Sequence, residues 1–223
     1  MAKPYFRQVP NFQYVNRKPG DNSISNYEEV KNIFKRAKLR EDIFSDLTFF
    51  TKYTIVGDER PDNVANKFYK DPTLDWVVLL SNNILNIQTE WPLQQSDFDD
   101  FLLDKYGDYE TIGKVHHYEC TGVANEAGVV VAKAGLIVPS DFSVTFYDSI
   151  LGQTVTRTNV TEAVTNYQYE AKIQDGKRNI YVLKARYLPV ITDDIDALMP
   201  YRKGGTQYVS PTMKKADNIK LFE

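Results

Sequence analysis

The chain has 223 residues, a formal net charge of −3, 42% hydrophobic and 26% charged residues; the balance is that of a globular protein long enough to bury one large or two small domain cores. That charge excludes broad attraction to nucleic acid or an anionic membrane, and no apolar run approaches the ~20 residues that cross a bilayer. One cysteine, Cys120, excludes an intramolecular disulfide framework, and the opening MAKPYFRQVP lacks the apolar core of a signal peptide, so a soluble chain folded in a cytoplasm is expected.

Residues 1–26 read as an extended arm. Pro4, Pro10 and Pro19 disfavour regular structure, while Tyr5, Phe6, Phe12 and Tyr14 give the arm something to bury, on its own domain or on a neighbouring subunit. Ser25 or Asn26 suits the cap of a helix starting near Tyr27, with Tyr27, Val30, Phe34 and Ala37 as its apolar stripe. Lys31, Lys35, Arg36, Lys38 and Arg40 crowd the polar side. A basic helix can serve nucleic acid, but Glu28, Glu29, Glu41 and Asp42 bracket this one, and acids first with bases last match the helix dipole. Residues 27–50 are therefore expected to be a helical segment with a solvated or protein-facing polar side.

The stretch YTIVGDERPDNVANKFYKDPTLDWVVLLSNNI, residues 53–84, divides into strand, turn, helix, loop and helix. Residues 53–56 are aromatic and β-branched, Gly57-Asp58 turns, and Pro61 suits the first position of a helix. Asp71-Pro72 breaks that helix, Thr73 is the candidate cap of the next, and residues 76–80 (WVVLL) are apolar nearly all round and expected to be buried. Asn82-Asn83-Ile84 closes the helix, residues 85–87 are the candidate second strand, and an acidic helix runs over 97–106 to Gly107, with Phe98, Phe101, Leu102 and Tyr106 as its buried stripe. This order resembles a LysM module, which implies a βααβ fold over most of residues 51–107. Where glycan-binding members carry Thr and Leu after Gly-Asp, this chain has Glu59 and Arg60, which speaks against sugar binding.

From about Lys114 the pattern changes to short β-rich segments at 118–121, 128–132, 142–147 and 154–158, within a β-rich antiparallel region spanning 108–200. Residues 166–173 and 178–183 flank Asp175-Gly176 and predict a hairpin. After Pro189, residues 193–199 read as a short helix. Residues 201–223, with Gly204-Gly205, Pro211, Lys203, Lys214, Lys215 and Lys220, read as a mobile or partner-docked tail. The fold class is α+β.

Little in the chain suggests catalysis. His116 and His117 are adjacent on a candidate strand and are expected to face opposite sides, unable to converge on one metal or substrate atom. Motifs for zinc peptidases, serine hydrolases, phosphate loops and paired cysteines are absent from the sequence. Asp99-Asp100 and Asp193-Asp194 sit at expected helix starts, where the helix dipole explains them. The load of 15 Tyr and 12 Phe suits a protein that makes interfaces, or a large aromatic core.

The basic segment NYEEVKNIFKRAKLRE, the 53–84 stretch, Glu90-Trp91-Pro92-Leu93, Lys105-Tyr106-Gly107 and the closing KRNIYVLKARYLPVITDDIDALM together resemble the baseplate wedge subunit of contractile-tailed phages of the T-even type. The stretch 121–165 has no counterpart in that resemblance. It implies a structural, non-catalytic virion protein, assembled in the host cytoplasm in several copies per baseplate. Such a protein joins neighbouring wedges, helps attach them to the central hub and needs no cofactor. The candidate partner-binding residues are Gly57, Asp58, Glu59, Arg60, Asn82, Asn83, Tyr5, Phe6, Phe12 and Tyr14. A peptidoglycan- or chitin-binding LysM protein is the alternative.

Overall fold

In the computed structural model, which describes residues 4–15, 27–205 and 207–215, the chain divides into two units. One is Met1–Trp91 with Asn179–Glu223; the other is Pro92–Arg178. The first unit opens with a helical turn α1 (Tyr5–Gln8) and strands β1 (Asn11–Val15) and β2 (Tyr27–Lys31). After α2 (Glu41–Phe44) and a 3-10 turn come β3 (Phe50–Thr54), α3 (Pro61–Tyr69), α4 (Asp75–Ser81) and α5 (Ile87–Glu90). The second unit holds α6 (Gln95–Tyr106), α7 (Tyr109–Ile112), β4 (Val115–Cys120), β5 (Val123–Ala124), β6 (Val130–Ala132), β7 (Ile137–Val138), β8 (Val144–Asp148), β9 (Gln153–Arg157), β10 (Thr161–Thr165) and α8 (Asn166–Lys177). The chain then re-enters the first unit as β11 (Asn179–Leu183), α9 (Leu188–Leu198), β12 (Tyr208–Ser210) and β13 (Met213–Lys215). The class is α+β.

The core of the first unit is built on the antiparallel pair β3–β11, in register from Thr54 opposite Asn179 to Phe50 opposite Leu183. Ile180, Val182 and Leu183 are buried there with Val64 and Ala65 of α3 and Trp76, Val77, Val78 and Leu80 of α4. Helix α3 starts at Pro61, whose missing N–H costs nothing at that position, and ends on Lys70 in the left-handed region. The predicted cap Thr73 is not one. Asp71 caps a 3-10 turn over Pro72–Leu74 by accepting from the Thr73 N–H and hydroxyl, and α4 follows directly from Asp75. At the far end of α4, Asn83 adopts a positive φ of 54°. The Ile84 N–H then reaches the Leu79 carbonyl and the Asn83 N–H the Leu80 carbonyl, the paired bonds of a Schellman closure.

Asn82 ties this closure to the sheet. Its amide donates to the carbonyls of Val78 and Tyr181 and accepts from the Tyr181 N–H at 2.8 Å. Residues 85–87, predicted as the second strand, instead lead into α5, where Asn86 caps by accepting from Gln88. The strand that pairs with β3 arrives from 179–183, after the whole second unit.

Two other expectations fail for identifiable reasons, and a third is met with a shifted start. The helix predicted from Tyr27 is strand β2, which pairs antiparallel with β1 across all five residues; Phe34, an intended stripe residue, is 93% exposed. The hairpin about Asp175-Gly176 is helix α8, nucleated by a capping box between Thr165 and Gln168. The helix predicted over 193–199 begins earlier, at Leu188, with Pro189 in its first turn. Of the arm, residues 4–15 form α1 and β1, and Pro19 lies outside the described residues. Within the described part of the tail, β13 pairs parallel with β1 and antiparallel with β12, giving the order β12-β13-β1-β2.

In the second unit, α6 runs to Gly107 as predicted and buries Phe98 and Leu102. Helix α8 buries Asn166, Glu170 and Gln174, one residue per turn and all polar. Each has a partner. Asn166 donates to the Thr111 carbonyl, Gln174 accepts from the Leu93 N–H, and Glu170 receives the Lys105 ammonium at 2.6 Å and the Tyr106 hydroxyl at 2.9 Å. A smaller core of Cys120, Val123, Ala132 and Val160 lies under the short strands.

Asn82→Ala leaves the Tyr181 N–H and carbonyl of β11 short of their partner, and chemical denaturation should show a loss of about 1–3 kcal/mol. Asn83→Ala should cost about 1 kcal/mol because alanine lacks the short polar side chain that makes the left-handed region tolerable for asparagine, whereas Asn83→Gly should be neutral or stabilising.

Candidate protein-docking site

The turn after β3 is held from within. Gly57 takes a φ of +59°, and Asp58 and Arg60 are exposed. Arg60 lies 3.5 Å from Asp62. Glu59 is half-buried and accepts from the Tyr53 hydroxyl, from the Val56 N–H at 3.4 Å and from the Lys67 ammonium at 3.3 Å. Its backbone carbonyl takes the indole N–H of buried Trp91 at 3.0 Å. Burial pushes the Glu59 carboxyl up, but the Tyr53 hydroxyl, the Val56 N–H and Lys67 outweigh it and hold the group below the usual carboxylate range. Burial foremost, with the neighbouring Glu59, pushes the Tyr53 phenol up. Glu59 is thus part of the fold's own bracing.

The candidate residues of the arm separate into two groups. Tyr5 and Phe6, edge to face at 5.5 Å between centroids, stand on α1 beside Trp76. The Tyr5 hydroxyl accepts from the Ala37 N–H at 3.1 Å, which fixes its ring. Phe12 and Tyr14 lie on β1, opposite Val30 and Glu28 of β2. Asn83, at the end of α4, accepts from the Arg36 guanidinium at 3.4 Å.

Tyr5, Phe6 and Trp76 line a groove of about 910 Å³ within the first unit. Its apolar walls include Leu79 and Ile84, the two residues joined by the Schellman closure, and the loop side chains Leu85 and Ile87. Arg7, Lys31, Lys35 and Arg36 contribute cations, and Asp75 is the acid of the lining. The walls are apolar and open: Phe6 is 62%, Ile33 71% and Leu85 66% exposed. Trp76 is buried, and its indole N–H has no acceptor among the described residues. Of the sequence-predicted residues, Tyr5 and Phe6 line this groove and Asn83 touches its rim through Arg36; Gly57, Asp58, Glu59, Arg60, Asn82, Phe12 and Tyr14 are not among its lining. Ile33, Leu85 and Ile87 were missed because, in sequence, each looks like an ordinary core residue of a helix or strand.

The histidines are closer than alternation allows. Val164 pairs with His117 and Thr165 with Val115, so His116 is the extra residue of a β-bulge. The bulge brings the two Nδ1 atoms to 2.8 Å, contrary to the expectation of opposite faces. His116 stacks on Tyr169 with centroids 4.0 Å apart, and His117 Nε2 lies 3.2 Å from Glu119, which also takes Lys172 at 2.7 Å. Among the described residues no group of three or more metal-ligating side chains is placed to hold an ion. No described helix is long and apolar enough to cross a membrane.

An open apolar groove on a braced scaffold is the geometry of a docking surface. The family model described as base plate wedge protein 53 of phages matches residues 9–131, more than half of the chain. The chain belongs to this family. It is therefore a structural component of a phage tail baseplate and interacts with other baseplate proteins. A comparison with curated proteins gave no match. The family match runs from β1 into β6, so it includes the turn at Gly57, all of α4 and most of the groove's lining.

Glu59→Gln should lower stability at pH 7 and flatten its acid dependence. The carboxylate's contribution is full above the ordinary value of 4.5 and is lost as pH falls through the lower value of the folded state; urea midpoints measured between pH 2 and 7 test this. Trp76→Ala should cost about 3–5 kcal/mol, read by thermal or denaturant unfolding.

Proposed function

We propose that this chain joins neighbouring wedges of a contractile-tail baseplate and helps attach them to the central hub, in several copies, through protein–protein contacts. The observation that carries the reading is the family match across residues 9–131, and the open apolar groove beside α4 supports it. We read β3, α3, α4 and β11 as a LysM-like βααβ module, because a Gly-Asp turn and then α3 and α4 follow β3, and β11 pairs antiparallel with it. In this reading the second unit is an insertion between the second helix and the second strand. The module grips protein rather than glycan: Glu59, at the sugar-contacting turn, is engaged with Tyr53, Val56 and Lys67.

Tails assembled without this chain should stop at separate wedges, visible as isolated arms by electron microscopy, and complete hub-attached baseplates in its absence overturn the reading. The purified chain should not sediment with peptidoglycan or chitin. Saturable binding that disappears on Gly57→Val or Asn83→Val establishes the glycan-binding alternative instead.

A further inference from the structure

Among the described residues, the cations of the groove are not paired with carboxylates. The Lys31 ammonium donates to the Val9 carbonyl at 3.0 Å, that of Lys35 to the Pro200 carbonyl at 3.0 Å, and Arg36 to the Asn83 side-chain oxygen. All three acceptors are neutral, and among the described residues none of the three cations pairs with a carboxylate. Asp75, the acid of the lining, turns its oxygen to the Trp76 N–H at the start of α4. Lys35 is further crowded by cations: burial foremost, then Lys214 and Arg202, push its ammonium below the usual lysine value. Lys35 and Lys214 each stand 5.0 Å from the Tyr201 ring. The surplus of positive charge thus sits along the rim of an apolar trough.

We propose that the groove receives an acidic amphipathic segment of another baseplate protein, its apolar side chains seated on Ile33, Leu85 and Ile87 and its carboxylates on Arg7, Lys31 and Arg36. The inference rests on the reading of this chain as a protein-docking baseplate component and adds the chemistry of the partner. Charge complementarity selects the occupant. A basic or neutral amphipathic segment satisfies the apolar walls but adds to, or leaves unrelieved, the repulsion around Lys35. An acidic one forms charge-assisted bonds with guanidinium and ammonium groups that now end on neutral acceptors. Seating the apolar side chains of an amphipathic segment in a hydrophobic groove is a recurring mode of peptide recognition.

The test uses assembled tails. A photo-crosslinking phenylalanine analogue is placed at Ile33 or Leu85, both largely exposed, and at exposed Tyr147 in the second unit as a control. Crosslinked segments are then sequenced by mass spectrometry. The expected result is a shared peptide from another baseplate protein, captured from both groove positions and not from Tyr147, with Asp or Glu flanking its apolar residues. Arg7→Glu with Arg36→Glu should reduce that crosslink at least tenfold while leaving the thermal unfolding curve unchanged, and reversing the acids of the captured segment to lysine should restore it. Capture of a second copy of this chain, of a basic or uncharged segment, or of nothing above the control overturns the proposal. So does a crosslink indifferent to the charge reversal. Absence of the wild-type chain from isolated tails instead overturns the baseplate reading itself, and this inference falls with it.

Discussion

The first unit depends on a pairing made at long range. β3 and β11 are separated by about 125 positions, as measured by the Thr54–Asn179 side-chain bond, yet they supply the sheet against which α3 and α4 bury Val64, Ala65, Val77 and Val78. A two-stranded sheet alone is marginal in water. Here the packed helices cover it, and the Asn82 amide bonds to both the N–H and the carbonyl of Tyr181, as a third strand would. One polar side chain at a helix end thus fixes where β11 lies relative to α4. Closing so long a loop is less costly than its length suggests, because closure entropy grows only logarithmically. The second unit also ends near where it begins: the Leu93 N–H, just after its start, bonds to Gln174, near its end.

The second unit is organised by buried polarity. Along α8, Asn166, Glu170 and Gln174 recur every four residues and face inward, where an apolar stripe is the rule. Burying these groups is costly unless each finds a partner, and each does, in α6, in α7 or in the segment that opens the unit. Such partners are directional, so they specify how α8 sits against its neighbours more sharply than apolar contacts of the same area.

These features decide what was legible in the sequence. The Gly57 turn, Pro61, the buried run at 76–80 and the Gly107 stop could be read because each is a local signal with a local cause. The family resemblance was likewise carried by contiguous segments. The hairpin expected at 166–183 rested on the Asp175-Gly176 turn signal, and the helix there carries a polar inward stripe that apolar periodicity does not reveal. The capping box at Thr165 and Gln168 was the available signal for a helix. The helix expected from Tyr27 failed because its stripe included Phe34, which the fold leaves in solvent, while β1 offered that segment a strand partner. The strand expected at 85–87 failed for the plainest reason: no local pattern announces that the partner of β3 lies beyond the whole second unit.

The groove follows from how α4 is ended. The Schellman closure at Asn83 sets Ile84 back against Leu79, and α5 begins at once, with Asn86 capping its start and the Glu90 carboxylate accepting from the Leu85 and Asn86 N–H groups. Bound on both sides, Leu85 and Ile87 have little freedom to turn inward, so their exposure is enforced by the backbone. On the facing side, Tyr5 is pinned through its hydroxyl to Ala37. In the docking role proposed for it, a surface held open this way has already lost much of the conformational entropy that binding otherwise removes. The placement of apolar side chains in solvent is thereby tied to one asparagine with a positive φ.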